Sequence, residues 1–301
     1  MELRQIRYFI EVANREHVTE AADALHVAQS AVSRALKNLE DELGVDLFIR
    51  EGRNVRLTPI GKVFLPYMQQ AIRVIENGKQ IIQEYADPDS GTIKVGFPSS
   101  LATYVLPTAI SAFREQYPDV KFELHQGSYR YLKDLVIQGD INMAILGPVP
   151  LDEKKMNGTI LFTEKIVALL PRKHPLAKAT SLRLTELQDE DFVMFQKGFV
   201  LRDVVSDACM RLGFQPNISF EGEDIDSIKG LVSGGLGISL VPEITLIDNV
   251  PRSTVQIPII EPEITRSVGI ITPAERQLLP TERIFAQFLR DFFDRLEQFQ
   301  K

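Results

Sequence analysis

Between residues 32 and 43, apolar side chains recur at steps of four, three and four (Val32, Leu36, Leu39, Leu43), which makes one stripe of an amphipathic helix. The opposite face carries Ser30, Ser33, Arg34 and Lys37 at i, i+3, i+4 and i+7, with Gln29 in the first turn. Upstream, Ala21, Ala22 and Leu25 mark a shorter helix with Thr19 as its expected cap. HVA (26–28) is the turn between the two. Residues 1 to about 58 therefore read as short helices with no strand signal. A long helical pattern follows from Pro59 to Tyr85, opened by Thr58-Pro59, a cap residue and a proline in the first turn. Its stripe is Leu65, Met68, Ile72, Ile75 and Ile82, interrupted at Lys79, and Pro66 is expected to kink or loosen its start. ADPDSG (86–91) is a turn-rich linker.

From Thr92 the period changes. Short β-type runs appear: TIKVGF (92–97), VKFELH (120–125), INMAIL (141–146), KIVALL (165–170), DFVMF (191–195), GISLVP (237–242) and SVGIIT (267–272). Helical stretches such as LATYVLPTAISAFREQY (101–117) and LRDVVSDACMRLGF (201–214) lie between them. This alternation predicts an α/β region of parallel sheets flanked by helices. It is too long for one small sheet, so two subdomains are expected.

The two patterned helices before residue 44, joined by three residues, make a helix-turn-helix. The second helix of that motif enters the DNA major groove with its first residues at the base edges. Gln29 suits bidentate bonding to adenine, Arg34 a guanine or a phosphate, and Ser30 and Ser33 either, while Lys37 is placed for the backbone. Taken alone, this face reads more readily as an ordinary solvated surface. The segment that follows decides between the two readings. IREGRNVRLTPIGK (49–62) brings Arg50, Arg53, Arg56 and Lys62 against Glu51, the pattern of a basic hairpin, a wing that grips phosphates beside the groove. Residues 1–62 hold nine Lys and Arg against ten Asp and Glu, so the basic groups must share one face, with Glu16, Glu20, Asp23 and Glu40–Glu42 turned elsewhere. Phosphate contacts alone would bind modestly, which calls for two copies, and the stripe of the long helix is the expected dimerisation seam.

The net charge of −7 argues against indiscriminate coating of nucleic acid. The one cysteine, Cys209, excludes an internal disulfide and CxxC sites; beside Val205 and Leu212 in a helical pattern it reads as a buried, inert thiol. The charged opening MELRQIRYFIEVANREH lacks a signal-peptide core, and no run is apolar enough to span a bilayer, so a cytoplasmic location is expected. GLVSGGLG (230–237) lacks the residues of a P-loop and reads as a tight turn into a strand; EGEDID (221–226) reads as a loop with a helix cap. His125 and His174 show no ligand spacing. With no triad, metal set or cofactor motif in view, an enzyme is not expected, and neither is a cofactor.

A binding cleft is better supported. In open α/β sheets ligands sit beyond the carboxyl ends of the strands. Ser99, Ser100 and Leu101 follow TIKVGF, Ser128 follows VKFELH, and Gly147 follows INMAIL. FQKGFVLR (195–202) brings Phe199 and Arg202, the latter an expected clamp for a carboxylate. Together they predict a site for a small anion.

ELRQIRYFIEVANREHVTEAADALHVAQSAVSRALKNLEDELGVDLFIREGRNVRLTPIG closely resembles the N-terminal domain of the LysR-type transcriptional regulators. GFPSSLATYVLPTAISAFREQYPDV, HPLA and LVSGGLGISLVP resemble their effector domain. Ala28, where the family often has Ser or Thr, is a departure that costs about 1 kcal/mol of capping. The resemblance implies base and phosphate contacts at Gln29, Ser30, Ser33 and Arg34, and wing contacts from Arg50 and Arg53. It implies three regions: an all-helical winged helix-turn-helix DNA-binding domain (1–58), a dimerisation helix and hinge (59–91), and an effector domain (92–301). The last would resemble periplasmic binding proteins, with subdomain I at 92–163 and 268–301 and subdomain II at 164–267. VAQSAVSR, REGRN, LTPIGK, LGPVP, ILFTEKI, GFVLR and EGEDIDSIKGLVS resemble more narrowly those members that activate glutamate synthase genes. That likeness implies 2-oxoglutarate and glutamate as effectors, operator DNA and a second copy of the chain as partners, and RNA polymerase as a further one. Two other classes compete with this reading: a solute-binding protein or enzyme with an accessory helical domain, and a purely architectural DNA binder that would leave the α/β region without a task.

Overall fold

The apolar stripes of the first sixty residues converge on Phe9, which is fully buried between the rings of Phe48 and Phe64. In this computed structural model, which describes residues 1–52, 54–86 and 91–299, the chain divides into two units, Met1–Gln83 and Glu84–Lys301. The first unit comprises α1 (Leu3–Arg15), α2 (Val18–Ala24), α3 (Gln29–Leu43), a hairpin of β1 (Phe48–Glu51) and β2 (Asn54–Leu57), and the long α4 (Pro59–Ala86). Val12, Ala21, Val32, Leu39 and Leu47 complete its core.

The helix boundaries follow local chemistry. α3 begins at Gln29 behind Ala28, which offers no side-chain cap, and ends at Gly44, whose φ of 71° is one that glycine adopts without strain. The expected cap at Thr19 is corrected: His17 caps α2 instead, its ring Nδ1 accepting from the Glu20 N–H at 3.3 Å, which leaves Thr19 inside the first turn. A neutral imidazole nitrogen serves as the acceptor that the orphan N–H requires. The expectation of no strand signal before residue 58 is corrected, whereas the basic hairpin read in the wing segment is present, antiparallel with Phe48 opposite Leu57. Strands of four residues are too short to display alternation. Leu43, at the last position of α3, is exposed rather than part of the buried stripe.

α4 carries two apolar stripes. Leu65, Met68 and Ile72 pack onto the first unit's own core, while Ile75 and Ile82 are exposed. A second set, Ile60, Val63, Tyr67, Val74 and Ile81, recurs at steps of three, four and seven and is exposed throughout. The first half of the expected dimerisation seam is therefore used internally, because α4 must bury one face against the helices it follows. The linker (86–91) falls for the most part outside the described residues.

The second unit comprises, in order, β3 (Thr92–Phe97), α5 (Ser99–Ala102), α6 (Val105–Gln116), β4 (Lys121–Gln126), α7 (Tyr129–Gln138), β5 (Met143–Leu146) and β6 (Met156–Pro171). It continues with β7 (Leu182–Arg183), β8 (Asp191–Phe195), α8 (Val200–Arg211), β9 (Asn217–Gly222), α9 (Ile225–Ser233) and β10 (Ser239–Pro242). β11 (Thr254–Glu261), β12 (Thr265–Pro273) and α10 (Pro280–Phe299) close it. Among the described residues the main sheet runs β4-β3-β5-β12-β6-β11-β7, with β10 on β6 and β8 paired to β9.

The expectation of parallel sheets is corrected to a mixed arrangement. β3 pairs in parallel with β4 and β5, but β12, β6, β10 and β11 are joined antiparallel. The reason is β6, a strand of 16 residues of which KIVALL is only the second half. Its first half pairs with β12 from Met156 to Lys165, and its second half with β10 and β11 from Ile166 to Pro171. β6 thus passes from one core, around Phe113 and Phe285, to another, around Phe192 and Ile228, and the chain returns through Ile264 into β12. These are two subdomains on shared strands. The helix expected over 101–117 is split at Thr103 and Tyr104 into α5 and α6.

Candidate functional site

On the first unit, the core contacts of Val32, Leu36 and Leu39 set which way α3 faces. Gln29, Ser30, Arg34 and Lys37 are exposed on its other side, and Ser33 is half-buried, its Oγ accepting from Gln29 Nε2 at 2.8 Å. That bond holds the Gln29 amide along the helix. Two of the acids expected to turn aside do so: Glu40 accepts from the N–H groups of Leu47 (2.7 Å) and Phe48 (3.0 Å), tying the entry of the wing to α3, and Glu42 pairs with the N-terminus. Arg50 is exposed on β1. Arg53 lies outside the described residues. The face can thus present an amide, two hydroxyls and cations on a rigid helix flanked by a hairpin, the chemistry that reads base edges and phosphates.

On the second unit, the carboxyl ends of β3, β4 and β5 open onto a cavity of about 320 Å³. The first subdomain contributes Ser99 and Ser100 after β3, Ser128 and Tyr129 after β4, and Gly147 after β5. Ser128 caps α7, its Oγ accepting from the Tyr131 N–H. The second subdomain contributes Phe195 and Phe199, which stack with centroids 5.6 Å apart, and Glu223 and Asp224. Asp224 caps α9, accepting from the N–H groups of Ser227 (2.8 Å) and Asp226 (2.9 Å). The Ser227 N–H in particular holds this carboxyl below the usual range, against a smaller opposing effect of burial.

At the floor lies Arg266 of β12. Its Nη2 donates to Ser100 Oγ at 3.0 Å, its Nη1 to the Gly147 carbonyl at 3.4 Å, and its Nε to Glu164, the residue opposite it on β6. Burial pushes the Glu164 carboxyl up, and Arg266 opposes that shift. Tyr129 is likewise raised by burial, with Glu153 adding to the effect.

Of the expected ligand residues, Ser99, Ser100, Ser128, Gly147 and Phe199 come together here. Two are placed otherwise. Leu101 is fully buried in the core of the first subdomain. Arg202, expected as a clamp, donates instead to the Phe195 carbonyl (2.8 Å) and to Glu221 (2.5 Å) and does not line the cavity. It ties α8 to β8 and β9. The cation that does line the cavity, Arg266, was missed; its signal is an arginine heading the apolar run SVGIIT. Cys209 is buried and Gly237, at φ 144°, turns the chain tightly against the Asp191 carbonyl, both as expected.

Residues 3–62 match the model for bacterial regulatory helix-turn-helix proteins of the lysR family, and residues 86–294 that for the LysR substrate binding domain. The chain is 56% identical over 300 residues to the transcriptional dual regulator GltC of Bacillus subtilis, covering all of both chains. It is similar in structure to a full-length OxyR variant from Pseudomonas aeruginosa (28% identity, TM-score 0.72, 97% of this chain and 94% of that one). Full-length CbnR complexed with its target DNA shares the fold at 22% identity, with a TM-score of 0.76 over 97% of this chain and 99% of that one.

Proposed function

Because the chain belongs to the LysR family of transcriptional regulators, we propose that it acts as a dimer or tetramer activating glutamate synthase genes in response to a small dicarboxylate, 2-oxoglutarate or glutamate. The observation that carries the sensing half is Arg266, a buried guanidinium aimed into a cleft of serine hydroxyls and phenyl rings. A planar fork of this kind pairs with carboxylates, and the aromatic walls exclude water from the contact. The likeness to GltC along the full chain supports the choice of target genes.

The proposed mechanism is a shift of population. Ligand favours one closure of the two subdomains about β6 and β12, and closure alters how paired winged units sit on the operator and bend it. The ligand must bind the two closure states with different affinity, or nothing moves. Footprinting on the DNA upstream of the gene, with and without 2-oxoglutarate and glutamate, tests the whole reading. The expected result is an interrupted inverted repeat whose protection changes with ligand; protection indifferent to both acids would remove them as effectors.

Two further outcomes are expected. Gln29→Ala should cost about 1–3 kcal/mol at one base position and relax specificity there, because the amide would be a base contact and not a phosphate contact. Binding measured across operator variants checks this, and an unchanged sequence preference removes Gln29 from the readout. Val74→Glu should lower the oligomeric mass measured by analytical ultracentrifugation, since it sets like charges face to face in a paired seam of Val63, Tyr67, Val74 and Ile81. A mass equal to the parent's would place the seam elsewhere.

A further inference from the structure

Behind Arg266 at the floor of the cleft lies its buried partner, Glu164. Glu164 and Arg266 stand opposite each other where β6 and β12 pass between the subdomains, and their side chains are only 4% and 3% exposed. One carboxylate oxygen, Oε1, accepts from Arg266 Nε. The other, Oε2, is buried with no hydrogen-bond partner among the described residues. An ionised carboxylate offers about four acceptor sites, so this one is held with much of its capacity unused. The Nη edge of the same guanidinium faces Ser100 and the cavity. An anion seated there must share Arg266 with a carboxylate already in place.

We propose that Glu164 is the positioning residue of this floor and takes up a proton from solvent when a carboxylate ligand binds Arg266, so that ligand binding and proton uptake are one event. The proposal rests on the effector reading of the cleft. Its physical basis is that two carboxylates close together in a dry site do not both remain ionised, and the one already destabilised by burial yields first. Protonation removes the resident competitor, and the guanidinium then meets a single negative partner. Burial already moves the Glu164 carboxyl upward, against the pull of Arg266.

The neighbouring charged groups leave this role to Glu164. Arg266 on β12 is the charge that acts on it. Lys165, the next residue on β6, pairs at the surface with Glu263. Glu223 and Asp224 line the cleft from the second subdomain, and Asp224 is held ionised by the N–H groups of α9. Tyr129, shifted upward, stays protonated at neutral pH.

Titration calorimetry of the full chain with 2-oxoglutarate tests this, in two buffers of different ionisation enthalpy, from about pH 6 to pH 8.5, where the ligand's own carboxylates stay ionised. The expected result is uptake approaching one proton per ligand, with affinity falling as pH rises by up to about tenfold per pH unit. Glu164→Gln should bind more tightly than the parent at the alkaline end, with a flat pH profile and no proton uptake. A parent chain that binds without proton uptake and with constant affinity overturns the proposal, as does a folded glutamine variant that keeps the parent's slope. If neither 2-oxoglutarate nor glutamate binds the parent at any pH, the effector reading itself fails, and this inference fails with it.

Discussion

Replacing Arg266 with leucine is expected to destabilise the second unit by roughly 3–5 kcal/mol near neutral pH. The substitution removes the charge that opposes burial of Glu164 and leaves a carboxylate deep in the sheet with no counter-ion. It also deletes the donors to Ser100 and Gly147. The loss should depend on pH in a definite direction. The folded value of the Glu164 carboxyl already lies above its unfolded value, so the native state binds more protons in the interval between them. Its contribution is then most favourable below the unfolded value and is lost as pH rises through the folded one. Without Arg266 the folded value rises further and the interval extends upward. The deficit of Arg266→Leu should therefore be larger at pH 8 than at pH 5, because acid favours the protonated form of Glu164, which tolerates burial better. Urea unfolding of the full chain at both values measures it. A Glu164→Gln background should recover most of the loss, because a neutral amide tolerates the same burial better. A deficit equal at both pH values, or unrelieved by glutamine, would show that the pair does not bear on stability in this way.

Phe9→Ala should have an effect of similar size on the other unit, about 3–5 kcal/mol. Phe9 is wholly buried and its ring meets Phe48 of the wing and Phe64 of α4, both at 5.4 Å between centroids. One side chain thus joins α1, the hairpin and the long helix, and a cavity there loosens the body on which α3 is seated. Operator binding should be lost at a temperature where the second unit is still folded. Calorimetric melts should show the first unit's transition shifted and the second unit's in place. Unaltered operator affinity would mean that the wing and α3 do not depend on this contact.

Where side-chain periodicity was strong and local, the chain declared its own structure. TIKVGF and DFVMF are β3 and β8 to the residue, and α3 starts at Gln29 as its amphipathic face predicts. β9 and β11 escaped because NISFEG carries polar residues on an exposed pairing and TVQIPIIE contains Pro258, which argues against a strand until its place opposite Val167 is known. The mixed pairing escaped because strand direction depends on which strands meet, not on the pattern within each. The site divides the same way. Ser99, Ser100 and Ser128 follow from a rule about strand ends, whereas Arg266 gains its meaning from Glu164, which lies 102 positions earlier and meets it only through register. Arg202 shows the converse: its position after a strand was right, but the direction of its side chain was set by Glu221 on β9, a strand not foreseen.

The thiol of Cys209 sits among Leu201, Val205 and Ile228 in the core of the second subdomain, and burial pushes it up to about 11. At neutral pH roughly one molecule in ten thousand would carry the reactive thiolate. Peroxides and alkylating agents should therefore leave this thiol unmodified, and the second unit should keep its fold in an oxidising cell.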